Sequence, residues 1–273
     1  MLFDTHTHTT NSDGRSSAAE MCAAAVEKGV GGILFTDHAN MNYYYDRDTY
    51  NSILRSIEDA DRAKEAFVGK LKVCCGVELG EYLYAPEKAK KVLAIDRFDA
   101  VLCSVHLVPR AGWGVAYNRI NFDDPAIPDS DLYEYLHYYF DLLSETVDAF
   151  DFDILAHIHC PVRYTNGKYS RTIDILRFED RIREILEKII RRDIALEVNT
   201  ARLFAKDGSC DFRMKEILEM YRVLGGRKVT LGSDAHQKES VGSNFLPTME
   251  LLKSCGFDRY YYYEKRIPRE ILL

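Results

Sequence analysis

The chain carries no apolar run approaching the ~18 residues that a membrane-spanning helix requires. It has no concentrated tract of Lys or Arg either, and its formal net charge is −7. Nucleic acids and anionic membranes are held by clustered positive charge, so neither is expected as its main partner. No basic segment precedes an apolar one at the start. Met1-Leu2-Phe3-Asp4 runs straight into His6 and His8, and no signal peptide is expected. The 7 cysteines are scattered without Cys-x-x-Cys spacing, which reads as reduced, mostly buried thiols in a cytoplasmic protein. Internal repeats, low-complexity linkers and composition breaks are also missing, so one domain over residues 1–273 is the simplest expectation.

What the chain does have is alternation, with 47% hydrophobic residues to build a core. Strand-like runs occur at Met1–Thr5, Gly32–Thr36, Lys72–Val77, Phe98–Val105, Phe152–Ala156, Ile194–Val198 and Lys228–Leu231. Helical patterns lie between them. Ser17-Ala18-Ala19-Glu20 is a capping box that opens a helix due to stop near Gly29. Further helices are expected over Asp48–Phe67, Asp129–Phe150, Arg177–Arg191, Arg213–Leu224 and Ser243–Cys255. In the third of these six, Leu132, Tyr135, Leu136, Tyr139, Leu142 and Leu143 share one face. Repeated β-then-α units predict an α/β fold whose parallel strands close into a barrel. Two long irregular segments read as lids or binding loops: His38–Arg47, with Tyr43, Tyr44 and Tyr45, and Leu107–Pro128, with Trp113.

The chemistry-bearing residues fall at the ends of those runs. His6 and His8 end the first, Asp37-His38 the second, Glu78 the third and His106 the fourth. His157 ends the fifth, Asn199 the sixth, and Asp234 and His236 the seventh. In a parallel barrel all these ends meet on one rim, where active sites are built. His6-Thr7-His8 alternates, so both imidazoles project from one face. Imidazole and carboxylate together are the donors of Zn, Mn or Fe ions. The surplus over the four donors of one tetrahedral ion implies two or three divalent transition-metal ions. Close ions of this kind can hold a hydroxide for in-line attack on phosphorus and neutralise the charge that develops.

As an ordered set, Asp4-Thr5-His6-Thr7-His8, Thr36-Asp37-His38, Glu78, His106, His157 and Gly232-Ser233-Asp234-Ala235-His236 resemble the motifs of the polymerase and histidinol phosphatase (PHP) superfamily. The resemblance spans residues 4 to 236 and implies a distorted (βα)7 TIM-like barrel with its metal site at the C-terminal rim of the strands. Carried over by motif, His6, His8, Glu78 and Asp234 would hold a first ion. Glu78 would bridge to a second ion held by His106 and His157, and Asp13, His38 and His236 would hold a third. Length, Leu196-Glu197-Val198-Asn199-Thr200 and Arg163-Tyr164 are similar to the stand-alone histidinol-phosphate phosphatases of that superfamily. Where those enzymes tend to read His-x-Asp after the fifth strand, this chain has His157-Ile158-His159-Cys160, a departure that bears on substrate rather than metal.

The resulting expectation is hydrolysis of a small phosphomonoester, L-histidinol phosphate, by a hydroxide held between ions. Glu78, Asp234 and His236 would be catalytic, the last two as alternative proton donors. Arg163, His159 and Asn199 would contact substrate, with Arg163 in the loop leaving the fifth strand as a planar clamp for phosphate. Rival readings are a PHP-type phosphotyrosine phosphatase, a nucleotide phosphoesterase, or a metal-stabilised binding domain without turnover. The partner is a small phosphorylated molecule, and oligomeric state is left open.

Several residues also have plainer readings. Asp37 either caps a turn or orients ligands, and His159 is either core filler or a pocket residue. His137 shares a polar helix face with Ser130, Glu134 and Asp141 and reads as solvated. Cys160 lacks the partner pattern of a thiolate nucleophile and reads as structural. Tyr43–Tyr45 and Tyr260–Tyr263 read as packing of a loop and of a terminal strand, the former also placed to line a pocket mouth.

Overall fold

Local signals set the first helix. The Ser17 hydroxyl accepts from the Glu20 amide, and the Glu20 carboxylate accepts from the Ser17 amide at 2.8 Å. This reciprocal box starts α1 (Ala18–Glu27), and Gly29, with φ +70°, turns the chain out of it. The structure, a computed structural model, describes residues 1–42, 48–108, 116–168, 171–205 and 207–273, with 118, 167 and 168 described by backbone only. Tyr43–Tyr45 and Trp113 lie outside the described residues.

All seven expected strand runs form parallel strands. They are β1 (Leu2–Thr7), β2 (Val30–Phe35), β4 (Lys72–Gly80), β5 (Ala100–Ser104), β6 (Ile154–Leu155), β7 (Ala195–Asn199) and β8 (Val229–Gly232). They pair in the order β1-β2-β4-β5-β6-β7-β8, and a short β3 (His38–Asn40) continues the line of β2 against β4. Past the end of β8 the chain returns to β1: the Asp234 amide donates to His6 O and the His8 amide to Ala235 O, each at 2.9 Å. These bonds bring the two edge strands together into a nearly closed (βα)7-type barrel.

The remaining helices are α2 (Thr49–Ala66), α3 (Pro86–Leu93), α4 (Asp129–Ala149), α5 (Cys160–Lys168), α6 (Glu179–Arg191), α7 (Met214–Val223) and α8 (Phe245–Ser254). The six-residue face expected on α4 is buried throughout. On α6, Ile182, Ile185, Leu186 and Ile189 are fully buried, each worth about 1.5–3 kcal/mol. Two helices, α3 and α5, were not expected. Both are short and of mixed character, so their amphipathic period is weak evidence until the barrel supplies a surface to cover.

The terminal tyrosine run forms β9 (Arg259–Glu264), and it is one arm of an antiparallel hairpin with β10 (Ile267–Leu272). The hairpin clasps the start of β1. The Tyr260 hydroxyl accepts from the Phe3 amide at 3.1 Å and donates to Met1 O at 3.0 Å. Among the described residues no helix is long and apolar enough to cross a membrane.

Tyr260→Phe keeps the ring and strands the buried Phe3 amide without an acceptor. It should cost about 1–3 kcal/mol, seen as a lower urea midpoint. An unchanged midpoint would show that the clasp contributes nothing.

Candidate metal centre

Glu78 is the middle of the site. It sits inside β4, in register with His38 on β3, and is wholly buried. Its Oε2 lies 3.1 Å from His6 Nε2, 3.5 Å from His8 Nε2 and 2.9 Å from His38 Nδ1. Its Oε1 lies 3.1 Å from His106 Nε2 and 2.9 Å from His157 Nε2. Burial alone would raise this carboxyl, but His38, His6 and His106 outweigh it and hold Glu78 well below the ordinary carboxylate range.

A second carboxylate, Asp234, places Oδ1 3.8 Å from His6 Nε2, 3.3 Å from His8 Nε2 and 3.7 Å from His236 Nδ1. A third, Asp13, lies 3.4 Å from His38 Nε2 and 3.3 Å from His236 Nε2. All nine expected ligands therefore converge, in four overlapping sets whose donor atoms lie within 4.8 Å of one another. The sets are interleaved rather than partitioned as the motif transfer implied. His157 groups with His6 and Glu78, His106 with His38 and Glu78, and His8 joins Asp13, His38 and His236.

Two observations test whether these residues suit metal ions. Bonds of ~2.0–2.2 Å to a tetrahedral ion put neighbouring donors roughly 3.4 Å apart, and many of the separations above lie close to that. Secondly, His8 is fully buried, yet its Nδ1 has no hydrogen-bond partner and its Nε2 faces the carboxylates of Asp234 and Glu78 at 3.3 and 3.5 Å. Burial, with His236 and His38 nearby, pushes its pKa down to about 3, which keeps it in the neutral form that coordinates. The carboxylates meanwhile demand positive charge. Although burial opposes it, Glu197 and Glu78 hold His6 well above its usual value, and Asp13 and Asp234 raise His236 to about 9. The residues fit divalent ions.

Backbone geometry serves the same centre. His157 and Asp234 have φ of +24° and +53°, conformations that L-residues adopt at a cost and that cluster at functional sites. Gly232 is required by close approach, since a Cβ there would stand 2.1 Å from Glu197 Oε1 and 2.6 Å from His6 Cβ. The Asp37 carboxylate is not among the candidate donors. It accepts from the Thr9 amide and hydroxyl (2.7 Å each) and from the Ser12 and Ser56 hydroxyls (2.6 and 2.5 Å), fixing the loop that presents Asp13.

Arg163 corrects an expectation. It lies on α5 rather than in a loop, because the chain after His157 turns at once into helix, and it is buried. Its Nη1 donates to Asn199 Oδ1 at 2.7 Å, and its Nη2 donates to Asp234 Oδ2 at 2.9 Å and Cys160 Sγ at 3.0 Å. Burial pushes the Cys160 thiol up, but Arg163 and His157 more than reverse this, to about 7. Cys160 thus borders the site. His159 is buried with both ring nitrogens unpartnered and stacks on Phe212 at 5.2 Å. His137 is exposed, with its ring edge-on to that of Phe178 at 4.8 Å.

The sequence reading passed over two acids. Glu197 Oε1 lies 2.6 Å from His6 Nδ1, and Glu81 accepts from the His106 amide at 2.5 Å. The available signal was a lone Glu in the apolar run Leu196–Val198 and another directly after Gly80 at a strand end.

The sequence model of the PHP domain matches residues 4–201. The chain belongs to the PHP domain family. A probable histidinol-phosphatase of Clostridium acetobutylicum is 31% identical over 98% of this PHP protein and 99% of its own length. A second, from Thermotoga maritima, is 28% identical over 94% of each chain. The crystal structure of histidinol phosphate phosphatase from Lactococcus lactis, complexed with zinc, L-histidinol and phosphate, superposes with a TM-score of 0.80. It is 21% identical over 98% of each chain, a likeness of fold.

Glu78→Gln should lower metal content and cut turnover by orders of magnitude, because one carboxylate serves two donor sets. Asp13→Ala, at the solvent-facing edge, should be milder. Elemental analysis alongside kinetics checks both, and near-normal metal content in Glu78→Gln would remove Glu78 from the centre of the site.

Proposed function

We propose that this PHP protein hydrolyses a phosphomonoester, L-histidinol phosphate, to L-histidinol and inorganic phosphate. The observation that carries the phosphoesterase reading is the enclosure of one buried carboxylate, Glu78, by five imidazoles beside a buried guanidinium. The choice of substrate follows the end-to-end relatives named for that activity.

In this reading His6, His8, Asp13, His38, Glu78, His106, His157, Asp234 and His236, in their overlapping sets, would hold two or three divalent ions, zinc among the candidates. Ions there would acidify water and neutralise charge on the phosphoryl oxygens. The residues supply the rest. Arg163 binds the phosphate through donors not taken by Asn199, Asp234 and Cys160, and a guanidinium offers five in a fixed plane. Asn199 and Asp234 hold that plane in place. The leaving alkoxide needs a proton, which His236 can supply where only two ions are bound and it coordinates none: it stands 37% exposed, and Asp13 and Asp234 favour its charged form. Substrate enters through a cavity of about 160 Å³ that opens against Asp13, His38 and His106. The whole chain, 1–273, acts as one domain, and its unpaired cysteines suit the cytoplasm.

A kinetic screen of phosphomonoesters with added Zn²⁺ or Mn²⁺ tests the proposal. Histidinol phosphate should give the highest kcat/KM, and a chelator should abolish turnover. Preference for phosphotyrosine or a nucleotide would overturn the substrate, and full activity in excess chelator would overturn the chemistry. Arg163→Lys keeps the charge and loses the planar links to Asn199 and Asp234 that aim it, so kcat/KM should fall by about 1–3 kcal/mol in transition-state terms. Metal content should fall with it in Arg163→Ala, because the guanidinium also steadies Asp234. Unaltered kinetics in Arg163→Ala would return the residue to a structural role.

A further inference from the structure

We propose that Glu197 is a positioning residue of the metal centre, committing His6 to coordinate through Nε2 and tying that ligand to the backbone of a second one. The inference rests on the metal-dependent reading above. Glu197 lies in mid-strand on β7, fully buried, and belongs to none of the four donor sets. Each of its oxygens has a separate task. Oε1 stands 2.6 Å from His6 Nδ1, while Oε2 accepts from the His157 amide at 2.7 Å and from Asn199 Nδ2 at 3.3 Å.

The consequences follow from hydrogen-bond inventory. A carboxylate can only accept, so His6 Nδ1 carries a proton toward Glu197, which belongs to no donor set. Nε2 faces Glu78 and Asp234, which do, and an ion held among these three would take the place of any Nε2 proton and leave the Nδ1 proton with Glu197. The second oxygen steadies His157, whose φ of +24° needs such support, and reaches through Asn199 to the guanidinium of Arg163. One side chain therefore registers ligands from β1 and from the end of β6 with the phosphate-facing arm. The chain leaves room for it by placing Gly232 opposite, where any Cβ would collide with Oε1.

Glu197→Gln is the discriminating variant. An amide has one acceptor oxygen, and Glu197 uses both of its own as acceptors. The variant must therefore turn an NH₂ group against either the His157 amide or the His6 ring. In the full chain, Zn²⁺ affinity measured by competition with a chromophoric chelator should fall 10- to 100-fold. Tyr260→Phe, which loosens the fold far from the site, should leave Zn²⁺ affinity unchanged, so a general loss of stability would not imitate the effect. Wild-type affinity in folded Glu197→Gln would overturn the proposal. Should that variant fail to fold, ¹⁵N NMR of the His6 ring in the zinc-loaded wild type decides alone. A proton on Nδ1 supports the assignment, and a proton on Nε2 overturns it. Failure of the wild-type chain to take up zinc at all would instead remove the metal-dependent reading, and this inference with it.

Discussion

A carboxylate taken wholly out of water must be compensated, and in this protein that one requirement organises the molecule. Glu78 has no exposure, and its two oxygens face five imidazoles drawn from β1, β3 and the ends of β5 and β6. An unpaired charge in that position would destabilise the barrel by several kcal/mol. The strands that supply its partners must therefore stay in register, and the barrel closes where the chain after β8 bonds back to His6 and His8. Fold and site are bound by the same contacts.

Around this centre the acids divide by what they touch. Asp234 and Asp13 face imidazoles at separations suited to shared coordination. Glu197 and Glu81 face the far side of a histidine or its backbone, and Asp37 faces only hydroxyls and an amide. Asp4 belongs with this last group. Burial pushes its pKa up to about 6, against hydrogen bonds from Ser233 and Gly242 that pin the β8 loop to β1. Donors set at coordinating distances need such supports, since an imidazole free to rotate would lose its aim.

The ion pair between Arg163 and Asp234 links the two halves of the chemistry. Asp234 faces His6 and His8 through Oδ1 and the guanidinium through Oδ2. The guanidinium proposed to face phosphate is thus held by a carboxylate of the candidate metal centre, and each restricts the other's rotamers. Burial makes the coupling stronger than it would be in water.

The sequence by itself determined the seven parallel runs of the barrel, the order of the candidate ligands and their common rim. These depend on local alternation and on the rule that parallel strands point their carboxyl ends the same way. It also located the capped start of α1, because the box between Ser17 and Glu20 closes over three residues. Only the tertiary structure decided which donors share a set, since His8 meets His236 across more than two hundred residues. It alone placed Arg163 on a helix against Asp234, Glu197 behind His6, and Tyr260 on the amide of Phe3. Each of those contacts is a hydrogen bond of about 3 Å between distant parts of the chain, and no local period or spacing encodes a distance that the closing of the barrel creates.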